Sequence, residues 1–500
     1  MDLFSPHFFV VTLALVGLVI IIAALLSGLI DRSDLPQVGV FLALGAILGP
    51  AGLGLLNVTL ESPIVAVVAT LSLVLVLFTD AVSLSIAEIQ RHGRLAFLVL
   101  GPGTLLTAAL VALVGWSLLG LPPAAAAILG AALASTDPIM LRGLIRRPGL
   151  PEPVRLALRL ESGLNDAVLL PIIFVAMPFL LQRGPPSGNE WVRLGLDFFL
   201  LGPGAGVAVG LFGLSALDMI RRKIGVRRDY ESLYSLGVAF TAYAAAEAVH
   251  GSGFLAAFAA GLTIAALDVE LCDCFLEYGQ TTAEMALLFA FVLFGSSLIW
   301  SGFSVLSLPI IFFTIAVVLI RPIAFFASLA GTRLDYRSRL LIAWFGPRGL
   351  SSLLLILLPV FAGATGSQEL FAICCLVVIL SVAVHGGSLM FLKRETLPVQ
   401  VPAENAKRFA GDFVRNPQAS SISLGSESRE GSTARISVSE LRQLQQSGSP
   451  ILILDVRSDR NFESSDLQAQ GALRVSPDQA VQRLMELQVP RRTWLIAFCA

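Results

Sequence analysis

Residues 155–181 read RLALRLESGLNDAVLLPIIFVAMPFLL. The stretch is long enough to cross a bilayer core as one helix. Its apolar middle nevertheless holds Glu161 and Asp166. An ionisable group at that depth is expensive and marks function by default. Asp166 has no basic residue close to it in sequence, which weakens a purely structural explanation. Glu161 and Asn165 are four apart and share a helix face. Asp166 lies one position further round and is free to point towards a different neighbour.

The same kind of apolar run recurs on both sides. The chain is 56% hydrophobic and 14% charged, against about 25% charged in ordinary soluble domains. Thirteen spans are predicted, at 8–30, 36–56, 62–81, 95–120, 122–143, 155–181, 193–220, 229–249, 252–268, 283–300, 304–330, 338–362 and 367–392. The fold class is therefore an all-α polytopic membrane protein. The first stretch lacks a basic flank and a small-residue cleavage site, so it reads as a retained span.

Basic residues orient these spans. With the N-terminus outside, inward loops carry Arg32, Arg91, Arg94, Arg142, Arg146, Arg147, Arg221, Arg222, Lys223, Arg227, Arg228, Arg333, Arg337 and Arg339. Outward loops hold only Arg183 and Arg193, and an inward loop with Asp273 and Glu277 is the exception. The C-terminal region then lies in the cytoplasm. A net charge of −1 and the lack of a basic patch give no support to nucleic-acid binding. Cys272, Cys274, Cys374, Cys375 and Cys499 do not suggest a disulfide framework. No pair among His7, His92, His250 and His385 has metal-ligand spacing, so no metal or cofactor is expected beyond a transported ion. His92 reads as a solvated loop residue, with cytoplasmic pH sensing as the sharper alternative.

Further charges interrupt the spans. Ser135-Thr136-Asp137-Pro138 and Gly346-Pro347-Arg348-Gly349 each combine a charge with a helix breaker. Pro138 removes a backbone donor and frees carbonyls around Ala134 to Thr136. Non-helical backbone at membrane depth is tolerated only where it lines a cavity or packs on protein. Two interrupted helices, one in each half, point to a secondary transporter with inverted repeats. Bland readings stand beside this one: Asp80 as an interfacial group, Pro138 as an ordinary kink, and Glu161 with Arg321 as a structural ion pair. Arg348 either caps broken-helix carbonyls or holds substrate, and capping is the preferred reading.

At these residues the chain resembles the NhaP-type sodium/proton antiporters of the cation/proton antiporter superfamily, over about residues 10–395. The resemblance rests on Thr136-Asp137-Pro138, on Glu161-Ser162 and Asn165-Asp166, on Arg321 and on Arg348-Gly349. It implies a scaffold and dimerisation domain beside a mobile core with two crossing, partly unwound helices, and a homodimer. It also implies that Asp166 binds either cation or proton, with Thr136, Ser162 and Asp80 completing an oxygen shell. Asp137 would balance the helix-end dipoles, and Glu161 with Arg321 would steady the core with Asn165 packed into their network. The Asn-Asp pair resembles the electroneutral class, which implies one proton per cation (sodium or lithium, with potassium open). Gly163 and Asp80 depart from the pattern, where relatives carry a bulkier residue and a glutamate.

Such a site works by competition. A carboxylate in a partly dry cavity holds a proton more readily than one in water, and cation on one side displaces it. Rocking of the core then carries the loaded site across.

Residues 396–434 read as a linker, polar and poor in aromatics. Residues 435–500 read as α/β, with strands near 436–441, 451–457, 471–475 and 494–499. The Asp455-Val456-Arg457, Gly471-Ala472 and Cys499 pattern resembles part of a rhodanese-like domain, in which Cys499 would stand at the persulfide position. The sequence ends at Ala500, so a regulatory role is expected rather than catalysis. Rival readings are a sodium-coupled organic-anion symporter, a cation channel and a membrane-tethered sulfurtransferase. Midplane carboxylates argue against the last, since one span would anchor it.

Overall fold

The computed structural model describes residues 37–84, 86–145, 150–181, 188–224, 228–267, 273–332, 334–391, 451–456, 472–475 and 493–498, with isolated positions 17, 21, 22, 25 and 484. The chain divides into two compact units, Met1–Glu395 and Thr396–Ala500.

The first unit is helical. Helices α1 (Gln37–Leu48) and α2 (Pro63–Val82) lead into the short α3 (Ile86–Arg91) and the long α4 (Gly93–Leu119). Then come α5 (Pro123–Ala134), α6 (Pro138–Ile145) and α7 (Glu152–Leu180), which carries Glu161 and Asp166. Helices α8 (Gly188–Arg221), α9 (Arg228–Ala248), α10 (Gly253–Leu267) and α11 (Asp273–Ser296) follow. After a 3₁₀ turn at Leu298–Val305 come α12 (Leu308–Ser328), α13 (Tyr336–Trp344), α14 (Leu350–Phe361) and α15 (Ser367–Phe391).

This is a multi-pass membrane protein. Among the described residues seven helices are long and apolar enough to cross a bilayer, or eight if Tyr278–Ser296 and Leu298–Val305 form one bent span. Fewer than the thirteen predicted spans pass that test among the described residues. The predicted span at 8–30 lies almost wholly outside the described residues. Others are described only in part: α1 begins at Gln37, where its described residues begin, and α10 ends at Leu267, where its described residues end.

Local chemistry explains the interruptions. Pro123 opens α5 at its first turn, where a missing N–H is harmless. The alanine-rich helix then packs tightly on α4: a Cβ at Gly130 would meet the Ala108 carbonyl and the Ala112 backbone. Ser135 turns extended at φ −60°, ψ 142°, and Pro138 opens α6. In the second interruption, residues 345–349 are non-helical between α13 and α14. The loop before α13 is tied down by Asp335, whose side chain accepts from Ser338 N at 3.2 Å. Bonds from Ser338 hold that carboxyl below the usual carboxylate range.

In the second unit, β1 (Ile451–Asp455), β2 (Leu473–Arg474) and β3 (Trp494–Phe498) form a parallel sheet in the order β2-β1-β3. Leu454 pairs with Leu473 and Ala497. The predicted strand at 436–441, the linker 396–434 and Cys499 lie outside the described residues.

Candidate functional site

The two interruptions meet. Asp137 N donates to Pro347 O at 2.9 Å, so the unwound backbones touch directly. The Asp137 carboxylate is buried, accepting from Ile139 N at 2.9 Å and from Leu350 N at 2.8 Å. One anion thus caps the first turns of both α6 and α14, where helix dipoles favour negative charge. Arg348 answers from the other side: its Nη1 donates to Ala134 O at 2.8 Å and to Ser135 O at 3.0 Å. Those are carbonyls freed at the end of α5. Of the two options left open for Arg348, its contacts are those of a cap.

The glycines of the second break are required by this approach. A Cβ at Gly349 would run into the Asp137 carboxylate, and one at Gly346 into the Arg321 guanidinium. Neither group can step aside, because each is held by backbone bonds. Gly349→Ala and Gly346→Ala are each expected to cost about 1–3 kcal/mol, the usual range for overpacking a filled core. The thermal midpoint of purified protein in detergent checks this, and wild-type midpoints would refute the close packing.

Asp166 lies at the crossing and is 4% exposed. It accepts from Ser135 Oγ at 2.5 Å and from the Ser351 hydroxyl. Among the described residues no guanidinium or backbone N–H is bonded to it, unlike Glu161 and Asp137. Thr136 is fully buried, and its hydroxyl accepts from Asn165 Nδ2 at 2.8 Å. Asn165 Oδ1 is buried without a partner. So Asn165 does not join the Glu161–Arg321 network expected for it; the unwound turn at Thr136 supplies a nearer partner.

Arg321 and Glu161 form a doubly bonded pair, Nη2 to Oε2 at 2.6 Å and Nε to Oε1 at 3.2 Å, at 2% and 1% exposure. Arg321 Nη1 also donates to Ile342 O at 2.8 Å and to Ala343 O. It therefore caps the end of α13 as well as pairing with α7. The Phe325 ring lies beneath it, 4.3 Å from the guanidinium carbon.

Two expected ligands sit further out. Ser162 shares a face with Asp166, four residues on, but its hydroxyl points back to Arg159 O at 3.4 Å. Asp80 is partly exposed near the C-terminal end of α2. A Cβ at Gly163 would lie 3.7 Å from the Asp80 Cβ, an ordinary contact. Arg142, assigned to a loop from sequence, belongs to α6. There it pairs with Glu284 of α11, which also accepts from Gln37 Nε2 of α1 at 3.3 Å. Sequence reasoning left out Ser135, Ser351 and this bridge. Ser135 stands inside the quoted motif as its first non-helical residue, and that signal was there to be used.

A model of the sodium/hydrogen exchanger transmembrane family matches residues 17–394. The chain belongs to this family. An exchanger-family chain is a secondary transporter and not an enzyme. Over 400 residues the chain is 26% identical to the K(+)/H(+) antiporter NhaP of Alkalimonas amylolytica, covering 79% of this chain and 68% of that one. It is also 26% identical over 377 residues to the K(+)/H(+) antiporter NhaP2 of Shewanella sp. strain MR-4, covering 74% and 64%. The chain thus spans about two thirds of the length of these curated relatives. The solved structure of the sodium proton antiporter MjNhaP1 from Methanocaldococcus jannaschii at pH 8 superposes with a TM-score of 0.62. That match has 20% identity and covers 76% of this chain and 99% of the other, a likeness of exchanger fold.

Proposed function

We propose that this exchanger-family chain swaps a monovalent alkali cation for a proton across the membrane, with Asp166 as the group that takes either. The observation that carries the reading is the placing of Asp166. Its carboxylate is buried where two interrupted helices cross, bonded by hydroxyls and by no fixed cation among the described residues. A carboxylate without a permanent counter-charge must recruit one to be stable there, and a proton or a small cation serves. Ser135 and Thr136 supply hard oxygens close by, with Asp80 further out and Ser162 able to join after a rotamer change.

Sodium, lithium and potassium all fit that chemistry, and the relatives' names include both potassium and sodium exchangers. One proton per cation is the proposed ratio, because Asn165 leaves a single carboxylate at this point of α7. Movement of the helices around the crossing would expose the site to each side in turn. A homodimer is the assembly that the NhaP resemblance implies. We place the chain in the cell (inner) membrane, N-terminus outside and C-terminal region in the cytoplasm, on the basic-loop asymmetry. The proposed organisation is an exchange domain over 1–395, a linker over 396–434 and a rhodanese-like region over 435–500, which the parallel sheet supports.

Purified protein in proteoliposomes, with an acidified lumen and a pH dye inside, tests the reading. Adding lithium, sodium or potassium outside should alkalinise the lumen and rank the ions. Folded protein that answers none of the three, from mildly acidic to alkaline pH, would sink it.

A further inference from the structure

The second interruption has a polar support on α15 that the exchange scheme does not use. Ser381 Oγ, fully buried, accepts from Arg348 N at 2.7 Å. Four residues on, His385 is 5% exposed, and its Nδ1 lies 3.1 Å from both Ser381 Oγ and Ser381 O. The imidazole also hydrogen-bonds the Trp344 backbone carbonyl, and its ring centroid is 5.6 Å from the Trp344 indole. Trp344 Nε1 is in turn held by Ser388 Oγ at 3.2 Å. Trp344 is the last residue of α13 and Arg348 lies just before α14, so Ser381 and His385 reach both sides of the gap.

The charged groups facing this imidazole are Arg321 of α12 and Arg348 of the break itself. A third buried cation beside those two guanidinium groups would cost heavily, so the ring that fits is neutral. A neutral ring has one N–H. On Nδ1 it would serve the Ser381 carbonyl at 3.1 Å, and the Ser381 hydroxyl proton would lose the ring as its acceptor. On Nε2 it serves the Trp344 carbonyl, which also accepts from Gly346 N at 3.0 Å, and leaves Nδ1 to accept the Ser381 O–H. Ser381 then has its lone pair turned to Arg348 N–H.

We propose that His385, as the Nε2–H tautomer, is a positioning residue: through Ser381 it splints the gap between α13 and α14 and holds Arg348 over the carbonyls of Ala134 and Ser135. Those carbonyls shape the turn that presents Ser135 to Asp166, so the splint acts on the cation site without touching the cation. The kinetic part rests on the exchange function proposed above.

Two measurements test it. In ¹⁵N-histidine spectra of the whole protein in detergent, the four histidines give separable signals, and the one lost in His385→Gln is His385. Its Nδ1 should show the shift of an unprotonated, hydrogen-bonded nitrogen and should move in Ser381→Ala. A protonated Nδ1 overturns the proposal whether or not the protein transports. In the flux assay, His385→Leu should raise the apparent KM for cation about tenfold, the effect of one buried hydrogen bond, with little change at saturating cation. His385→Gln keeps a donor and an acceptor and should restore most of the loss. Ser381→Ala combined with His385→Leu should be no worse than either alone. An unchanged KM in His385→Leu, or additive losses in the pair, overturns the splint. Wild type that fails to exchange would instead overturn the proposed function, and the spectra would still decide the tautomer.

Discussion

Asp166→Asn is expected to reduce cation-dependent proton flux to the protein-free background. The expected loss is at least about 100-fold, the scale on which removing a positioned proton carrier acts. Asparagine fills nearly the same space and can still bond Ser135 and Ser351, so the crossing keeps its shape. It can neither take up a proton nor neutralise a cation. The folded yield and the thermal midpoint should stay near wild type, because the variant removes a buried charge that no fixed cation compensates among the described residues. Flux in vesicles and the midpoint in detergent must be read together. Retained exchange in Asp166→Asn would remove Asp166 from its role, and a collapsed yield would show that the carboxylate also holds the fold.

The second large effect is on stability. Glu161→Gln and Arg321→Met should each cost about 3–5 kcal/mol, the penalty for stranding one member of a buried pair. Arg321→Met should be the worse, since it also uncaps the Ile342 and Ala343 carbonyls. The double variant should lose much less than the sum, because no unpaired charge is left. Arg321→Lys keeps the charge but not the two-pronged geometry, and should fall between. Unfolding of the purified variants in denaturant measures all four. Additive single losses would mean that the two side chains do not act as a pair.

Much of the fold could be read from hydropathy alone, because each long helix must hide its backbone from lipid by itself. Every predicted stretch from residue 36 onward contains helix among the described residues. The breaks were legible too, since Pro138 and Gly346-Pro347 cannot continue a helix. Lengths were harder, because packing helps to set where a helix stops. For example, a Cβ at Gly49 would strike the Ser296 carbonyl. At the site, charged residues announced themselves, whereas their neutral partners did not. Ser135, Ser351 and Ser381 look like small packing residues until the chain brings them to Asp166 and Arg348. Asn165 was misjudged for the same reason. Helix periodicity gives the face it shares with Glu161, but not the distant turn that reaches it first.

Charge counting around the crossing carries one more consequence. Asp80 is partly exposed, so that solvent screens its charge. Arg321 and Arg348 lie buried with Glu161, Asp137 and Asp166. Taken as ionised, they sum to one negative charge, which a bound proton or alkali ion cancels. A moving body loaded with either would cross as an uncharged object, and an electric field would do no work on it. An empty one would feel about 2.3 kcal/mol for every 100 mV. The turnover rate under the proposed ratio should then be the same with the membrane clamped at zero or polarised.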